Sequence, residues 1–231
     1  MSTAASATPL VGVGLYSVSE AARLTRIPAR RIRRWVEGYA WGAAGARRSG
    51  PVVESQLAAI DGSIGLGFRD LMEVRFVDAF RRVGVSWPVL RIAHQRAAEL
   101  FETAHPFNTK RFLSDGRRIF AEVGRESGER ALLDLADNQW ALRKVITPFL
   151  HGMEFGNGGV VRWWPLGERR QVVLDPERVF GQPIVHREGV PTIVLARAAQ
   201  VEKSIEIVAG WFEVDRKAVR DAVDFESQLA A

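Results

Sequence analysis

The sequence predicts an α+β fold, because stretches with helical periodicity and capped starts alternate with short strands that meet at glycine-containing turns. Helical stretches dominate both ends of the 231-residue chain, and the hairpin signals concentrate in its middle. The composition, 47% hydrophobic and 26% charged, is that of an ordinary globular protein with room for two or three small domains. We therefore expect a flexible tail and three modules, with boundaries at 1–14, 15–102, 103–174 and 175–231.

Composition excludes several kinds of site. The sequence contains no cysteine, which rules out disulfides, thiolate metal sites and cysteine nucleophiles. Its four histidines are too far apart to form a local metal motif, so we expect neither a metal nor another cofactor. No apolar run reaches the roughly 18 residues of a membrane span, and residues 1–14 lack the basic start of a signal peptide. These observations predict a cytoplasmic protein with no membrane partner.

The positive charge is concentrated near the start of the chain. Residues 1–50 carry a net charge of +6, whereas the remaining 181 residues sum to −1. The basic residues there are all arginines: Arg23, Arg26, Arg30, Arg31, Arg33, Arg34, Arg47 and Arg48. A localised basic patch is typical of phosphate binding, because each neutralised phosphate releases condensed counterions. The alternative interpretation is a solvated, arginine-rich surface.

Two short helices with a tight turn are predicted at 17–38. Ser17 stands three residues ahead of Glu20, which is the spacing of a capping box that opens a helix ending near Thr25. Ile27-Pro28 then forms the turn, and a second helix runs to Glu37 and stops at Gly38. This arrangement is the helix-turn-helix pattern.

The second of these helices has the faces that a recognition helix requires. Its apolar residues Ile32, Trp35 and Val36 follow i, i+3, i+4 spacing. The opposite side bears arginines that can reach base edges or phosphates in a major groove, and Arg31 lies on the flank. The segment 39–53 is predicted to be a hairpin, or wing, with two arginines at its tip. The predicted DNA-binding set is Ser17, Ser19, Arg30, Arg31, Arg33, Arg34, Arg47 and Arg48.

Two more helices are predicted after the wing, at 69–83 and 87–102. Their inward-facing residues are expected to be Leu71, Val74, Val77 and Phe80 in the first, and Leu90, Ala93, Ala97 and Leu100 in the second. Because one recognition helix reads few base pairs, we expect a homodimer whose interface involves the apolar faces of this helix pair.

Residues 15–102 resemble the DNA-binding domain of the MerR family. The matching stretches are YSVSEAARLTRIPARRIRRWVEG and GFRDLMEVRFVDAFRRVGVSWPVLRIA. The sequence departs from that family at Trp35, where a tyrosine is usual, in its longer wing, and in the lack of a long dimerisation helix with ligand cysteines. The resemblance implies a winged helix-turn-helix that binds double-stranded operator DNA, without metal or thiol sensing.

The middle module is predicted to contain two hairpins and a helix. Asp115-Gly116 is a strong turn signal between strand-like runs at 111–114 and 117–123. A second hairpin is expected around Asn157-Gly158-Gly159, followed by a strand at 170–174, and a helix is expected at 129–150. Three tryptophans favour a small-sheet core, and the alternative is a ligand pocket: Trp140, Trp163 and Trp164.

The C-terminal segment is predicted to form three helices, at 190–199, 205–212 and 215–225, whose core would include Ile205, Val208, Trp211, Val219, Ala222 and Val223. The stretches DPERVFGQPIVHREGVPTIVLARAAQ and SIEIVAGWFEVDRKAVRDAVDFE resemble the small C-terminal domain of VapB-like antitoxins. They depart from it at Arg187-Glu188 and at Gly210. The resemblance implies a PIN-domain ribonuclease toxin as partner. The candidate toxin-binding residues are Trp211, Phe212, Arg216 and Arg220.

Trp211 and Phe212 have two interpretations: they pack in the core that the C-terminal helices share, or they are exposed and anchor a partner protein. The core interpretation is favoured. An arginine at position 216 or 220 would compete with magnesium in the carboxylate cluster that the resemblance implies for the toxin.

The two resemblances together predict the antitoxin of a type II toxin–antitoxin pair, which represses its own operon and neutralises the toxin. The alternative is a MerR-like transcriptional regulator whose middle module binds a small-molecule effector. No nucleophile, acid–base pair or metal cluster emerges from the sequence, so we do not expect an enzyme.

Overall fold

The computed structural model describes residues 12–41, 47–57, 63–137 and 139–230, without the side chains of residue 41 and residues 139–143. Most of the predicted tail, residues 42–46 of the predicted wing, and the side chains of Trp140 and Leu142 lie outside this description. The described residues form a mixed structure in which helices predominate and strands build three small antiparallel sheets.

The N-terminal elements follow the predicted order. Strand β1 (Tyr16–Ser17) leads into helices α1 (Val18–Thr25) and α2 (Ala29–Glu37). Strands β2 (Tyr39–Trp41) and β3 (Arg47–Ser49) pair with each other, and β4 (Gly65–Leu66) returns to pair with β1. The two helices and the hairpin that follows them are therefore confirmed as elements.

Helices α3 (Phe68–Arg82) and α4 (Trp87–Phe101) confirm the predicted helix pair. The inward-facing residues of α3 and all but one of those of α4 are buried as expected. The exception is Leu100, whose predicted inward position is wrong, because it lies near the end of α4 and is 42% exposed. The apolar side of α3 is thus used within the protein's own core.

Helix α3 also carries buried carboxylates, which fix the chain that follows α4. Asp70 Oδ1 lies 2.6 Å from Nε2 of His105. Glu73 accepts hydrogen bonds from the backbone N–H groups of Phe107 (2.9 Å) and Asn108 (3.1 Å). Such buried acids are tolerated only when they are hydrogen-bonded, and these two hold the start of the middle region against α3.

The hairpin predicted at Asp115-Gly116 is wrong, because residues Lys110–Ser127 form one helix, α5. The Thr109 side chain caps this helix by accepting from the N–H of Phe112 at 3.1 Å. One face of α5 packs into the core through residues at helical spacing: Phe112, Gly116, Ile119, Phe120 and Val123. The burial of this face stabilises the helix more than the local preference of Asp-Gly stabilises a turn.

The helix predicted at 129–150 is present as two helices, α6 (Arg130–Asp137) and α7 (Gln139–Leu150). Helix α7 contains Pro148, which lacks the N–H that a helix interior normally uses. Leu132 and Leu135 of α6 and Ile146 of α7 are buried in the main core.

A four-stranded antiparallel sheet follows, in the order β5 (Met153–Gly156), β6 (Gly159–Trp163), β7 (Val172–Leu174) and β8 (Pro183–Val185). The hairpin predicted at 157–159 is confirmed. Strand β8 precedes the first predicted C-terminal helix, where no strand was expected, and its pairing with β7 carries the sheet across the boundary predicted at 174/175. Trp163 is buried in the core, as favoured, whereas the Trp164 ring contacts the His186 ring in a tilted arrangement at 4.8 Å between centroids.

Three helices complete the chain, α8 (Thr192–Glu202), α9 (Ile205–Phe212) and α10 (Arg216–Ala230). Their existence is confirmed, and α10 continues past the predicted end at Phe225 because no helix-breaking residue intervenes. They form a second hydrophobic cluster with Val185 of β8. No helix in the described ranges is long and apolar enough to cross a membrane.

Contacts between the two ends of the chain hold the N-terminal elements against the C-terminal ones. The buried Tyr16 hydroxyl donates to the carbonyl of Gly181 at 2.6 Å. Burial raises the pKa of this hydroxyl far above its usual range, and nearby carboxylates add to the effect. Arg23 pairs with Glu226 at 3.4 Å, and Arg26 donates to the carbonyl of Gln228 at 2.8 Å. Helix α1 is therefore attached to α10.

Candidate functional site

Helix α1 begins with the predicted capping box. Ser17 Oγ accepts from the N–H of Glu20 at 3.2 Å, and the Glu20 carboxylate accepts from the N–H of Ser17 at 2.8 Å. Ser17 Oγ also lies 2.9 Å from Ser19 Oγ. Both serines are exposed, and their hydroxyls already serve the helix start.

The orientation of α2 is set by its buried side and by the chain that returns after the hairpin. Ile32, Trp35 and Val36 are buried as predicted. The carbonyl oxygen of Trp35, near the end of α2, accepts hydrogen bonds from the N–H groups of both Val52 (2.9 Å) and Val53 (3.1 Å). These two bonds fix the returning chain against the helix. The Trp35 ring also stacks on Trp87 of α4 at 6.2 Å between centroids. The outward face of α2 is thus presented on a rigid base.

The arginines of α2 divide into two groups. Arg31 lies 3.6 Å from the buried carboxylate of Asp78, and the guanidinium of Arg34 lies 3.9 Å from the centre of the Tyr39 ring. Arg30 and Arg33 are exposed and make no ion pair within the described part of the chain. At 100° per residue Arg30 lies opposite the buried side of α2, and Arg33 lies on the flank away from Arg31. They are the α2 cations most available to an external anion.

The hairpin after α2 holds two more of the predicted arginines. Arg47 and Arg48 of β3 are exposed and pair in register with Trp41 and Ala40. The hairpin is anchored at Ser49, whose Oγ accepts from the indole N–H of Trp87 at 3.0 Å. Gly38 is required at its base, because a Cβ there would lie 2.2 Å from the Ser49 carbonyl oxygen.

A cavity of about 320 Å³ lies beside α2, and the sequence did not reveal it. Four arginines and three aromatic rings line it: Arg31, Arg34, Arg81, Arg82, Trp35, Tyr39 and Trp87. Arg82 pairs with Asp78 of the same helix at 2.6 Å, and Arg31 approaches Asp78 at 3.6 Å, so the Asp78 carboxylate links α3 to α2 through Arg31. Positively charged walls of this kind favour anionic groups. Arg81 and Arg82 were visible as basic residues, but their approach to α2 depends on tertiary packing.

The four candidate toxin-binding residues of the C-terminal helices differ in exposure. Trp211 is 62% exposed, so the interpretation of this residue as core is wrong. Helix α9 buries Val208 and Ala209 and packs Phe212 partly against the same cluster, which turns Trp211 and Ile207, one helical turn apart, outward. Arg216 and Arg220 of α10 are exposed. The structure thus presents an exposed apolar pair on α9 and two exposed cations on the next helix.

Comparison with known proteins gives relatives over nearly the full chain. The sequence is 26% identical over 230 residues to a Mycobacterium tuberculosis protein named "Putative antitoxin VapB45", covering 92% of this chain and 93% of that protein. It is 24% identical over 233 residues to the uncharacterized protein Rv2308 of the same organism, covering 95% and 93%. No family model matches the chain.

A solved structure shares the fold. The X-ray crystal structure of Rv2018 from Mycobacterium tuberculosis superposes with a TM-score of 0.71 at 23% sequence identity, covering 93% of this chain and 99% of that one. The overall fold is therefore shared with an experimentally determined structure.

Proposed function

We propose that this chain is the antitoxin of a type II toxin–antitoxin pair, a non-enzymatic protein that binds operator DNA as a homodimer, represses its own operon and neutralises a PIN-domain ribonuclease toxin. The observation that carries the proposal is the full-length similarity to a protein named as an antitoxin. The sequence resemblances to a MerR-like domain and to a VapB-like C-terminal domain support the two separate activities.

The DNA-binding activity is supported by the geometry of α2. A helix whose apolar side is fixed by Trp87 and by the returning chain presents Arg30 and Arg33 outward. Arginine donates to guanine edges and to phosphates, and a hairpin with Arg47 and Arg48 next to such a helix suits the flanking backbone. These features favour a duplex, because the major groove admits a helix whose outward arginines can reach base edges.

The DNA-binding activity can be tested with a labelled duplex from upstream of the protein's own gene, by fluorescence anisotropy over a range of salt concentrations. We expect Arg30→Ala/Arg33→Ala to lose roughly 1–3 kcal/mol of binding free energy for each base-reading arginine. The matched control is Arg216→Ala/Arg220→Ala, which removes the same charge from α10 and should leave DNA affinity unchanged. Equal affinity of the α2 variant and the wild type would exclude α2 as the DNA-reading helix.

The toxin-neutralising activity is supported by the exposed face of α9. Ile207 (46% exposed) and Trp211 form an exposed apolar pair one helical turn apart, and tryptophan is enriched among residues that dominate binding energy. Arg216 and Arg220 are exposed cations on the following helix. An acidic surface that accepts a tryptophan would complement it, and the carboxylate cluster implied for a PIN-domain toxin has that charge.

Point substitutions test this activity better than truncation. A chain ending at Pro165 would lose two of the four sheet strands and the helix that pairs with α1. We therefore expect Ile207→Ser/Trp211→Ser to fold but to fail in rescuing growth when co-expressed with the neighbouring gene. Arg30→Ala/Arg33→Ala is the matched control and should rescue growth fully. Full rescue by the α9 variant would place the neutralising surface elsewhere on the chain.

A further inference from the structure

An apolar groove lies between helices α3, α6 and α7. Its volume is about 830 Å³, within the range of about 300–1,000 Å³ that small-molecule sites occupy. Buried Ala79 and Leu135 and the half-buried Val145 and Phe149 contribute apolar surface, and Val83 adds to it at the end of α3. The two activities proposed above use none of these residues.

The charged residues around the groove are mostly positive. Arg82, Arg130 and Lys144 line it, against one carboxylate, that of Asp134. Arg82 is neutralised by Asp78 at 2.6 Å. Arg130 and Lys144 are exposed and have no ion-pair partner in the ranges that the structure describes. These two cations are therefore available to a bound anion.

A third cation lies behind the groove. Arg75, one helical turn before Ala79 on α3, places its guanidinium 5.9 Å from the centre of the Phe149 ring and 4.0 Å from that of Trp163. No carboxylate pairs with it among the described residues. The aromatic rings shield the Arg75 guanidinium from water but do not neutralise its charge. This positive charge favours the binding of anions in the neighbouring groove.

We propose that this groove binds a small amphipathic anion, a ligand with an apolar body and a single carboxylate. The apolar body lies against Val145 and Phe149, and the carboxylate pairs with Arg130 and Lys144 at the rim. Two observations favour this ligand class independently: the apolar surface excludes a fully polar anion, and the unpaired cations discriminate against a cationic amphiphile. The proposal goes beyond antitoxin activity and does not depend on it.

The experiment uses the full-length protein and two probes with the same alkyl chain, decanoate and decyltrimethylammonium, titrated by isothermal calorimetry below their micelle concentrations. We expect one saturable site for decanoate and none for the cation. Arg130→Glu/Lys144→Glu should weaken decanoate binding by roughly tenfold or more. Lys110→Glu/Arg125→Glu, two exposed cations of α5 outside the groove, is the matched control and should bind decanoate as the wild type does.

Three results would overturn the proposal. The first is the absence of saturable decanoate binding to the wild type. The second is equal binding of both probes, which would indicate an unspecific apolar surface. The third is a sedimentation experiment without any probe in which Arg130→Glu/Lys144→Glu converts a dimer to a monomer while the control does not, since the groove would then be an interface between two copies of the chain.

Discussion

At the scale of single residues, the buried carboxylate of Asp70 is the most sensitive point of the N-terminal half. Its Oδ2 accepts from the backbone N–H groups of Gly67 (2.7 Å) and Gln56 (2.9 Å), and its Oδ1 lies beside His105. Asp70→Asn removes the negative charge and replaces one of the two acceptor oxygens with an NH2 donor, so either His105 or the two backbone N–H groups lose their acceptor. We expect a loss of about 2–4 kcal/mol in the free energy of unfolding, measured with urea.

The matched control for that substitution is Asp134→Asn, because Asp134 is exposed and has no hydrogen-bond partner in the described ranges. It should change the free energy of unfolding by no more than about 0.5 kcal/mol. Similar losses at both positions would show that the network around Asp70 contributes nothing specific.

Arg75 provides a second test at this scale, through pH. Burial lowers the pKa of its guanidinium to about 9, so the fold penalises the charged form. This penalty is complete below the folded-state pKa and is relieved as the pH rises through it. Relative to Arg75→Met, the wild type should therefore gain stability between about pH 8 and pH 10.5. A stability difference that stays constant in urea titrations across this range would contradict the assignment.

At the scale of elements, two helical glycines are predicted to respond in opposite directions to alanine. In α5, a Cβ at Gly116 would lie 2.9 Å from the buried Phe112 ring, so Gly116→Ala should cost about 1–2 kcal/mol despite better helix propensity. In α9, a Cβ at Gly210 meets nothing within 4 Å, so Gly210→Ala should stabilise by about 0.5–1 kcal/mol. Shifts of the same sign in chemical denaturation would contradict this packing.

The elements also show what a single sequence reveals. Helices α1, α2, α8 and α9 were predictable because caps and apolar spacing agree locally. Helix α5 was not, since Asp115-Gly116 is a turn signal that only the burial of one face against other helices overrides. Strand β8 was not predicted, because its three residues adopt the strand conformation through their pairing with β7 and carry no strong local strand signal.

Part of the candidate site could be predicted from local sequence, and part depends on tertiary packing. The exposed arginines of α2 could be predicted from 100° spacing, whereas the cavity lined by Arg81 and Arg82 and the groove beside α7 require knowledge of how helices pack. Trp211 was assigned to the core because apolar spacing along α9 does not indicate which side of a short helix faces its neighbours.

At the scale of the whole molecule, homodimer formation is a prediction that the surface of α4 makes testable. Ile92 (40% exposed) and Leu100 are its large exposed apolar residues. We expect the wild type to sediment as a dimer at micromolar concentration, and Ile92→Glu/Leu100→Glu to sediment as a monomer with weaker operator binding, because paired half-sites are then lost. A strictly monomeric wild type that binds one half-site per chain would be the contrary result.

The proposed antitoxin role of the whole chain can be tested by RNA cleavage with the purified product of the neighbouring gene, titrated with this protein. We expect cleavage to fall to background at a fixed stoichiometric ratio, for the wild type and for Arg30→Ala/Arg33→Ala alike. We expect Ile207→Ser/Trp211→Ser to leave cleavage largely intact. Undiminished cleavage in the presence of excess wild-type protein, or a neighbouring gene product without ribonuclease activity, would contradict the antitoxin role and favour a regulator that responds to a small effector.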